Sequence, residues 1–279
     1  MTLPTTVPTV TLHDGVEIPQ LGFGVFQVPR EDTQRVVEEA LAAGYRHVDT
    51  AAVYHNERGV GAALAASGLR REEVFVTTKL WNASQGFDST LAAHAKSLDR
   101  LGLDAVDLYL IHWPMPPEDR YLGTWRAFER IHEQGGARSI GVSNFRVEDL
   151  ERLRAECERL PTVNQVELHP RLAQTELRAW HATHAIATEA WSPLAQGEVL
   201  AEEALTAIAA AHGKTPAQVV LRWHLQLGNV VIPKSVTPAR IRENFEVFDF
   251  ELGGDELEAI GRLDTGARMG PDPATFVVQ

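Results

Sequence analysis

Four residues in the first half of the chain have types and spacings suited to protonating a carbonyl oxygen: Asp49, Tyr54, Lys79 and His112. Residues two apart on a strand share a face. In the run 45–50 this aligns Tyr45, His47 and Asp49; in 74–80 it aligns Phe75, Thr77 and Lys79; in 106–112 it aligns Leu108, Leu110 and His112. Each run therefore ends in an ionisable residue on one face. Tyr54 follows Asp49 by five residues, near enough for a loop to fold it over the same place. A free tyrosine, with a pKa of about 10, is too weak an acid at neutral pH, and a nearby ammonium favours the phenolate. The expectation is that Lys79 lowers the pKa of Tyr54, that Asp49 holds Lys79 charged and in place, and that His112 orients the substrate oxygen or shares its proton. Taken alone, Asp49 and Lys79 could be a buried structural pair, since such pairs also perturb pKa values. Four such residues at matched positions argue for chemistry.

These residues must be carried by elements that bring strand ends together. Eight β-branched runs recur along the chain, at 45–50, 74–80, 106–112, 139–143, 163–168, 186–191, 230–233 and 247–250. Amphipathic segments lie between them, among them 31–43, 89–101, 147–160 and 215–227, several closed by a glycine (Gly44, Gly102, Gly228). Thr215-Pro216 and Thr237-Pro238 each read as an N-cap followed by proline in the first turn. Alternating strands and helices imply parallel pairing through right-handed crossovers, and eight units close a barrel. The expected fold is α/β, a (β/α)8 TIM barrel. In such a barrel the C-terminal strand ends form one rim, where Asp49, Lys79 and His112 would meet. Residues 10–18, with His13-Asp14-Gly15 at their centre, read as a β-hairpin that could cover one end. The tail 265–279 has no periodicity and is expected as a loop near the barrel mouth. No linker divides the chain, so 1–279 reads as one domain.

Composition narrows the partners. The chain has 279 residues, 44% hydrophobic and 23% charged, enough to bury a sizeable core. Its net charge of −12 disfavours nucleic acid and anionic membrane as partners. A single cysteine, Cys157, excludes an internal disulfide framework. No Lys or Arg precedes Arg30, and Pro4 and Pro8 interrupt the start, so the expected location is cytoplasmic.

The residues also carry a resemblance. Residues 44–57, Gly-Tyr-Arg-His-Val-Asp-Thr-Ala-Ala-Val-Tyr-His-Asn-Glu, resemble the first signature of the aldo-keto reductases. Val-Thr-Thr-Lys-Leu-Trp (76–81), Leu-Tyr-Leu-Ile-His-Trp-Pro (108–114), Gly-Val-Ser-Asn-Phe (141–145), Asn-Gln-Val-Glu-Leu-His-Pro (164–170) and Ile-Pro-Lys-Ser-Val (232–236) follow in order. The resemblance implies a barrel that binds NADP(H) without a Rossmann domain, and a catalytic tetrad of Tyr54, Lys79, Asp49 and His112. It also implies that Trp191, where many members have tyrosine, stacks on the nicotinamide, and that Ser143, Asn144 and Gln165 hold the carboxamide. Ala195 stands where glycine is common, and Phe26 where tryptophan is common. In these respects the chain is similar to the bacterial branch that contains 2,5-diketo-gluconate reductases.

No Gly-x-Gly-x-x-Gly or Walker-type loop occurs, so a dinucleotide must be held otherwise. Residues 234–244 contain three basic residues and one acid, and offer Lys234, Ser235, Arg240 and the start of a helix, the donors a phosphate monoester requires. By resemblance, Lys234, Ser235 and Arg240 bind the 2′-phosphate of NADP, and Glu243 and Asn244 contact adenine. The same likeness extends the cofactor set to Gly24, Val25, Phe26, Asp49, Ser192, Leu194 and Val236. Phe26, Tyr54, Trp81, His112 and Trp113 are expected to line the substrate pocket, with specificity carried by 115–123 and the tail. His181 and His184 lack a surrounding zinc motif, residues 141–145 lack the closing glycine of a nucleophile elbow, and Cys157 reads as a packing residue. No metal is expected.

The expected function is an NADPH-dependent reductase of a small aldehyde or ketone, acting as a monomer, the family default, with Tyr54 as proton donor. Two other classes fit parts of the pattern: a non-enzymatic NADP(H)-binding redox-sensing module, and a metal-free barrel lyase or isomerase of sugar phosphates. The complete tetrad argues against the first, and the 234–244 cluster with Trp191 against the second.

Overall fold

The computed structural model describes residues 7–278; Pro4 and the last residue of the tail 265–279 lie outside them. Strands β1 (Thr9–Thr11) and β2 (Glu17–Pro19) form the expected hairpin, with Val10 opposite Ile18. Leu12 N–H donates to Val16 O at 2.8 Å across the turn, and Gly15 takes φ +89°, a conformation glycine adopts without a Cβ clash.

Eight parallel strands follow: β3 (Phe23–Gly24), β4 (His47–Asp49), β5 (Phe75–Leu80), β6 (Val106–Ile111), β7 (Ala137–Ser143), β8 (Val163–Glu167), β9 (Ala187–Trp191) and β10 (Val230–Val231), paired in sequence order. The two ends of the sheet meet. Leu21 pairs in parallel with Val231, whose N–H donates to Gln20 O at 2.9 Å while Gly22 N–H donates to Val231 O at 2.8 Å. The sheet is thus a closed (β/α)8 barrel. Around it lie α1 (Arg30–Ala43), α2 (Glu57–Ala66), α3 (Phe87–Leu101), α4 (Tyr121–Glu133), α5 (Val147–Glu156), α6 (Thr175–Thr183), α7 (Glu203–His212), α8 (Pro216–Gln226), α9 (Pro238–Phe245) and α10 (Gly254–Gly261). No helix among the described residues is long and apolar enough to cross a membrane.

One strand differs from expectation. Residues 247–250 are not a strand; Val247 is buried in the apolar layer between barrel and helices. The missing member is β3, two residues with no β-branched run, which enters the barrel before α1. Gly24 belongs there because a Cβ would approach Ile232 O to 3.2 Å. The helix expected over 147–160 ends at Glu156, where Cys157 turns to extended backbone (φ −126°, ψ 161°). Thr215 caps α8 as expected, its hydroxyl accepting from Gln218 N–H at 3.3 Å. At α9 the capping differs: Ser235 Oγ accepts the Thr237 N–H at 3.1 Å, and the Thr237 side chain makes no cap.

Alternation sorts the barrel residues into two cores. Outward side chains such as Val48, Val76, Tyr109, Ile140 and Val166 join helix residues such as Trp125, Phe128 and Trp223 in one large cluster. Inward residues Phe75, Leu108, Leu110, Val163 and Val230 form a second, sealed by Leu12 and Ile18 of the hairpin region. The hairpin is tied down by Ser139 Oγ, which donates to Asp14 Oδ2 at 2.6 Å. Gly141 sits among these inward side chains because a Cβ would come within 2.6 Å of Val163 O and 2.7 Å of Leu110.

Candidate active site

At the opposite end of the barrel the inward residues are polar. Lys79, fully buried at the end of β5, donates from Nζ to Asp49 Oδ1 at 2.5 Å and to Thr50 O at 3.0 Å. Burial works against its ammonium, but Asp49 and Tyr54 outweigh it, so its pKa stands above the ordinary lysine value and the group is charged.

Tyr54 is carried by a short 3-10 turn, Ala52–Tyr54, after β4. The turn is braced by Asn56, whose Nδ2 donates to Val25 O at 2.9 Å while its Oδ1 accepts from Thr50 Oγ1 at 2.8 Å. This places the Tyr54 ring centroid 5.2 Å from Lys79 Nζ and 5.7 Å from the His112 ring, edge to face. The four residues expected together are therefore together. The pKa of Tyr54 is not lowered, however: burial raises it, and Lys79, pulling the other way, does not compensate. The phenol accordingly keeps its proton through neutral pH. His112 is buried, and burial first and Lys79 second hold its pKa well below the usual histidine value, so the imidazole is neutral. Its Nδ1 is buried without a partner among the described residues.

An aromatic wall surrounds this group. Phe26 (52% exposed) lies 5.1 Å from Tyr54 and Trp81 lies 5.3 Å from His112, centroid to centroid. Trp113 packs at 4.4 Å against Phe276 of the tail. The tail is ordered across the mouth at both ends. Met269 and Gly270 N–H groups donate to the buried Glu167 carboxylate at 2.5 and 3.1 Å, and Asn82 Nδ2 donates to Val278 O at 2.8 Å. Gly270 must be glycine, since a Cβ would lie 2.5 Å from the Trp191 ring. A cavity of about 760 Å³ runs beside the tail, lined by Asn144, Arg146, Glu167, Gln174, Arg268 and Pro273; none of the four central residues lines it.

The residues assigned to a nicotinamide site also converge. Trp191 Nε1 donates to Asn144 Oδ1 at 2.9 Å, Asn144 Nδ2 donates to His112 O at 2.9 Å, and Ser143 Oγ donates to Gln165 O at 2.7 Å. Gly24, Val25 and Phe26 lie beside Asp49, with Gly24 its register partner and Val25 N–H donating to Asp49 O at 3.1 Å. The loop holding Ser192 and Leu194 contains three non-glycine residues at positive φ, Ser192 (+47°), Ala195 (+46°) and Gln196 (+55°). Lys234, Val236 and Arg240 are exposed after β10, and no described carboxylate lies within ion-pair distance of either cation. Two unpaired cations beside the Ser235 hydroxyl suit an anionic phosphate. Glu243 is engaged by Thr215 Oγ1 at 2.8 Å, and Asn244 is buried.

A sequence profile of the Aldo/keto reductase family matches residues 20–265. The chain belongs to the aldo/keto reductase family. This aldo/keto reductase is 59% identical over 269 residues to an aldo-keto reductase of Mycolicibacterium smegmatis, covering 96% of this chain and 98% of that one. It is 56% identical over 274 residues to the methylglyoxal reductase DkgA of Yersinia pestis, covering 98% of each. It superposes with a TM-score of 0.94 on a mutant of Gox0644 solved in complex with NADPH, at 48% identity, covering 98% of this chain and all of that one.

Two inward carboxyls of the reductase were not singled out from sequence. Glu189 is two residues before Trp191, and Glu167 two after Gln165, so the parity that aligned Asp49, Lys79 and His112 also puts them inside. His181, discounted above, is buried between Asn164 Nδ2 (3.0 Å) and Thr188 Oγ1 (2.9 Å), while the His184 ring stacks 3.8 Å from Trp180.

Proposed function

We propose that this reductase uses NADPH to reduce the carbonyl of a small aldehyde or ketone, with Tyr54 as proton donor, and that a reactive dicarbonyl of the methylglyoxal type is among its substrates. The observation that carries the reading is the protonated Tyr54 phenol beside the buried Lys79–Asp49 pair, at a mouth that also gathers Trp191, Asn144 and Gln165.

NADPH supplies the hydride when bound. Trp191, Ser143, Asn144 and Gln165 would hold its nicotinamide end; Gly24, Val25, Phe26, Ser192 and Leu194 would line its path; Lys234, Ser235, Val236 and Arg240 would hold its 2′-phosphate end, with Glu243 and Asn244 near adenine. The neutral His112 holds the substrate oxygen by a hydrogen bond and fixes its direction. Tyr54 transfers its hydroxyl proton to that oxygen as negative charge develops there, and the resulting phenolate faces the Lys79 ammonium, which stabilises it because both are buried. Asp49 keeps Lys79 charged and aimed. Phe26, Trp81 and Trp113 supply an apolar wall that excludes water around the carbonyl.

Following NADPH absorbance across a panel of carbonyls that includes methylglyoxal tests the reading. Oxidation with at least one is expected, and tight NADPH binding without oxidation by any carbonyl would contradict it. Lys234→Ala and Arg240→Ala should each weaken NADPH by about tenfold while sparing NADH, as loss of a charge-assisted contact to phosphate implies; equal losses for both nucleotides would remove the 2′-phosphate assignment.

A further inference from the structure

Inside the barrel a buried carboxyl lies next to Gln165 and takes no part in the proton transfer from Tyr54. Glu189, on β9, is fully buried inside the barrel and is the register partner of Gln165 on β8. Gln165 Nε2 donates to Asp49 Oδ2 at 2.8 Å and to Glu189 Oε2 at 3.0 Å. Both amide hydrogens are thus taken by carboxyl oxygens from two different strands. An amide flanked by two such acceptors must turn its nitrogen toward them, and its oxygen away. Among the described residues no donor bonds that oxygen.

The charges around Glu189 are few. Asp49 and Lys79 lie across Gln165, Tyr54 lies beyond Lys79, and His47 Nε2 is 3.7 Å from Glu189 Oε1, an oxygen with no hydrogen-bond partner. Burial keeps His47 neutral, pushing its pKa down to about 3. Lys79 is committed to Asp49. Burial and then the Asp49 charge push the pKa of Glu189 up to about 8. At neutral pH Glu189 is therefore an uncharged acceptor for Gln165 that leaves the Lys79–Asp49 balance undisturbed.

We propose that Glu189 is a positioning residue for hydride transfer: it locks the Gln165 amide with its nitrogen toward the two carboxyls, so that its oxygen accepts the N–H2 group of the nicotinamide carboxamide. The proposal rests on NADPH being the cofactor. It accounts for a hydrogen-bond acceptor at the strand position two before Trp191, and it makes carboxamide recognition a property of β4, β8 and β9 together.

The test compares binding of NADP with binding of its 3-acetylpyridine analogue, which lacks the carboxamide N–H2, by quenching of tryptophan fluorescence. The wild type should prefer NADP by about tenfold, the worth of one well-made hydrogen bond. In Glu189→Met, which fills the space without accepting, the preference should fall to within about twofold while the preference for NADP over NAD is unchanged. Glu189→Gln, which still accepts from Gln165, should keep most of the discrimination and most of the hydride-transfer rate. If Glu189→Met does not fold, Glu189→Asp, whose carboxyl is withdrawn by one methylene, replaces it with the same expected direction. A wild-type preference in the Met or Asp variant, a Gln variant as impaired as the Met variant, or a wild type that does not discriminate overturns the proposal. A wild type that binds neither nucleotide overturns the cofactor reading instead.

Discussion

The two halves of the barrel interior are built by one alternation and do opposite things. In the lower half, Phe75, Leu108, Val163 and Val230 meet Leu12 and Ile18 and form a buried apolar plug. Above it, the same faces of the same strands present Thr77 and Lys79, then His112, then Gln165 and Glu167. The lower half fills the barrel with side chains; the upper half gathers the buried Lys79, the buried Asp49 and Glu189 carboxyls bridged by Gln165, and the neutral His112 facing Tyr54. Burying such groups is unfavourable unless every partner is in place. The apolar plug closes one end of the barrel, which lets the upper half keep its charges out of water.

Substitutions in the two halves should therefore fail in different ways. Lys79→Met is expected to slow turnover by about a thousandfold, in the range for loss of a group that supports general-acid catalysis, and to leave Asp49 buried without its cation. Leu108→Ala in the plug should cost about 2–5 kcal/mol of stability by opening a cavity, while the folded fraction turns over within about twofold of wild type. Steady-state rates and chemical denaturation, run on both variants, separate the two; a Leu108→Ala enzyme with intact stability and lost turnover would erase the distinction.

Protonation sharpens the contrast further. His47, His181 and His224 are buried neutral, their pKa values held down to about 3 first by burial, and His112 is lowered as well. The unfolded chain binds protons at these sites below about pH 6.5 and the fold does not, so stability should fall steadily as pH drops from about 6.5 toward 3. Glu189 works in the reverse sense. Its folded pKa of about 8 lies above the ordinary carboxyl value, so its contribution is present at low pH and lost as pH rises toward 8. The melting temperature of Glu189→Gln relative to wild type should thus rise between pH 5 and 8, by about several degrees. A flat difference would show that the carboxyl is ionised in the fold.

Smaller effects belong to the rim. Phe276→Ala, which removes the tail contact with Trp113, should raise KM for the carbonyl by about three- to tenfold with kcat nearly unchanged, since a few buried apolar contacts are lost. Smallest is Ala195→Gly. Ala195 sits at φ +46°, which costs a residue with a Cβ about 1–2 kcal/mol, so the variant should gain up to about 1 kcal/mol after the added freedom of the unfolded chain is counted.

Much of this geometry was legible in sequence because a period of two is unforgiving. Asp49, Lys79 and His112 could be aligned from spacing, and the hairpin from Asp14-Gly15. Strand β3 leaves no signal because two residues containing a glycine carry no pattern, and 247–250 mimics a strand because Val247 is apolar for packing against helices rather than for pairing. The pKa direction of Tyr54 is hidden from the sequence, which shows which charges are near but not how much water burial removes. Glu189 and Glu167 are within reach of the same parity, counted from Trp191 and Gln165, but a carboxyl inside a strand carries no signal of its role. The anchoring of the tail by Glu167 joins residues 102 and 103 apart in the chain, a contact no local pattern reports.

The proposed proton donor, Tyr54, is tested by single-turnover mixing of NADPH-loaded Tyr54→Phe with a carbonyl that the wild type reduces. Hydride transfer slowed by about a hundredfold or more, with NADPH affinity within about threefold of wild type, is the result the geometry predicts; an unimpaired single-turnover rate would contradict it.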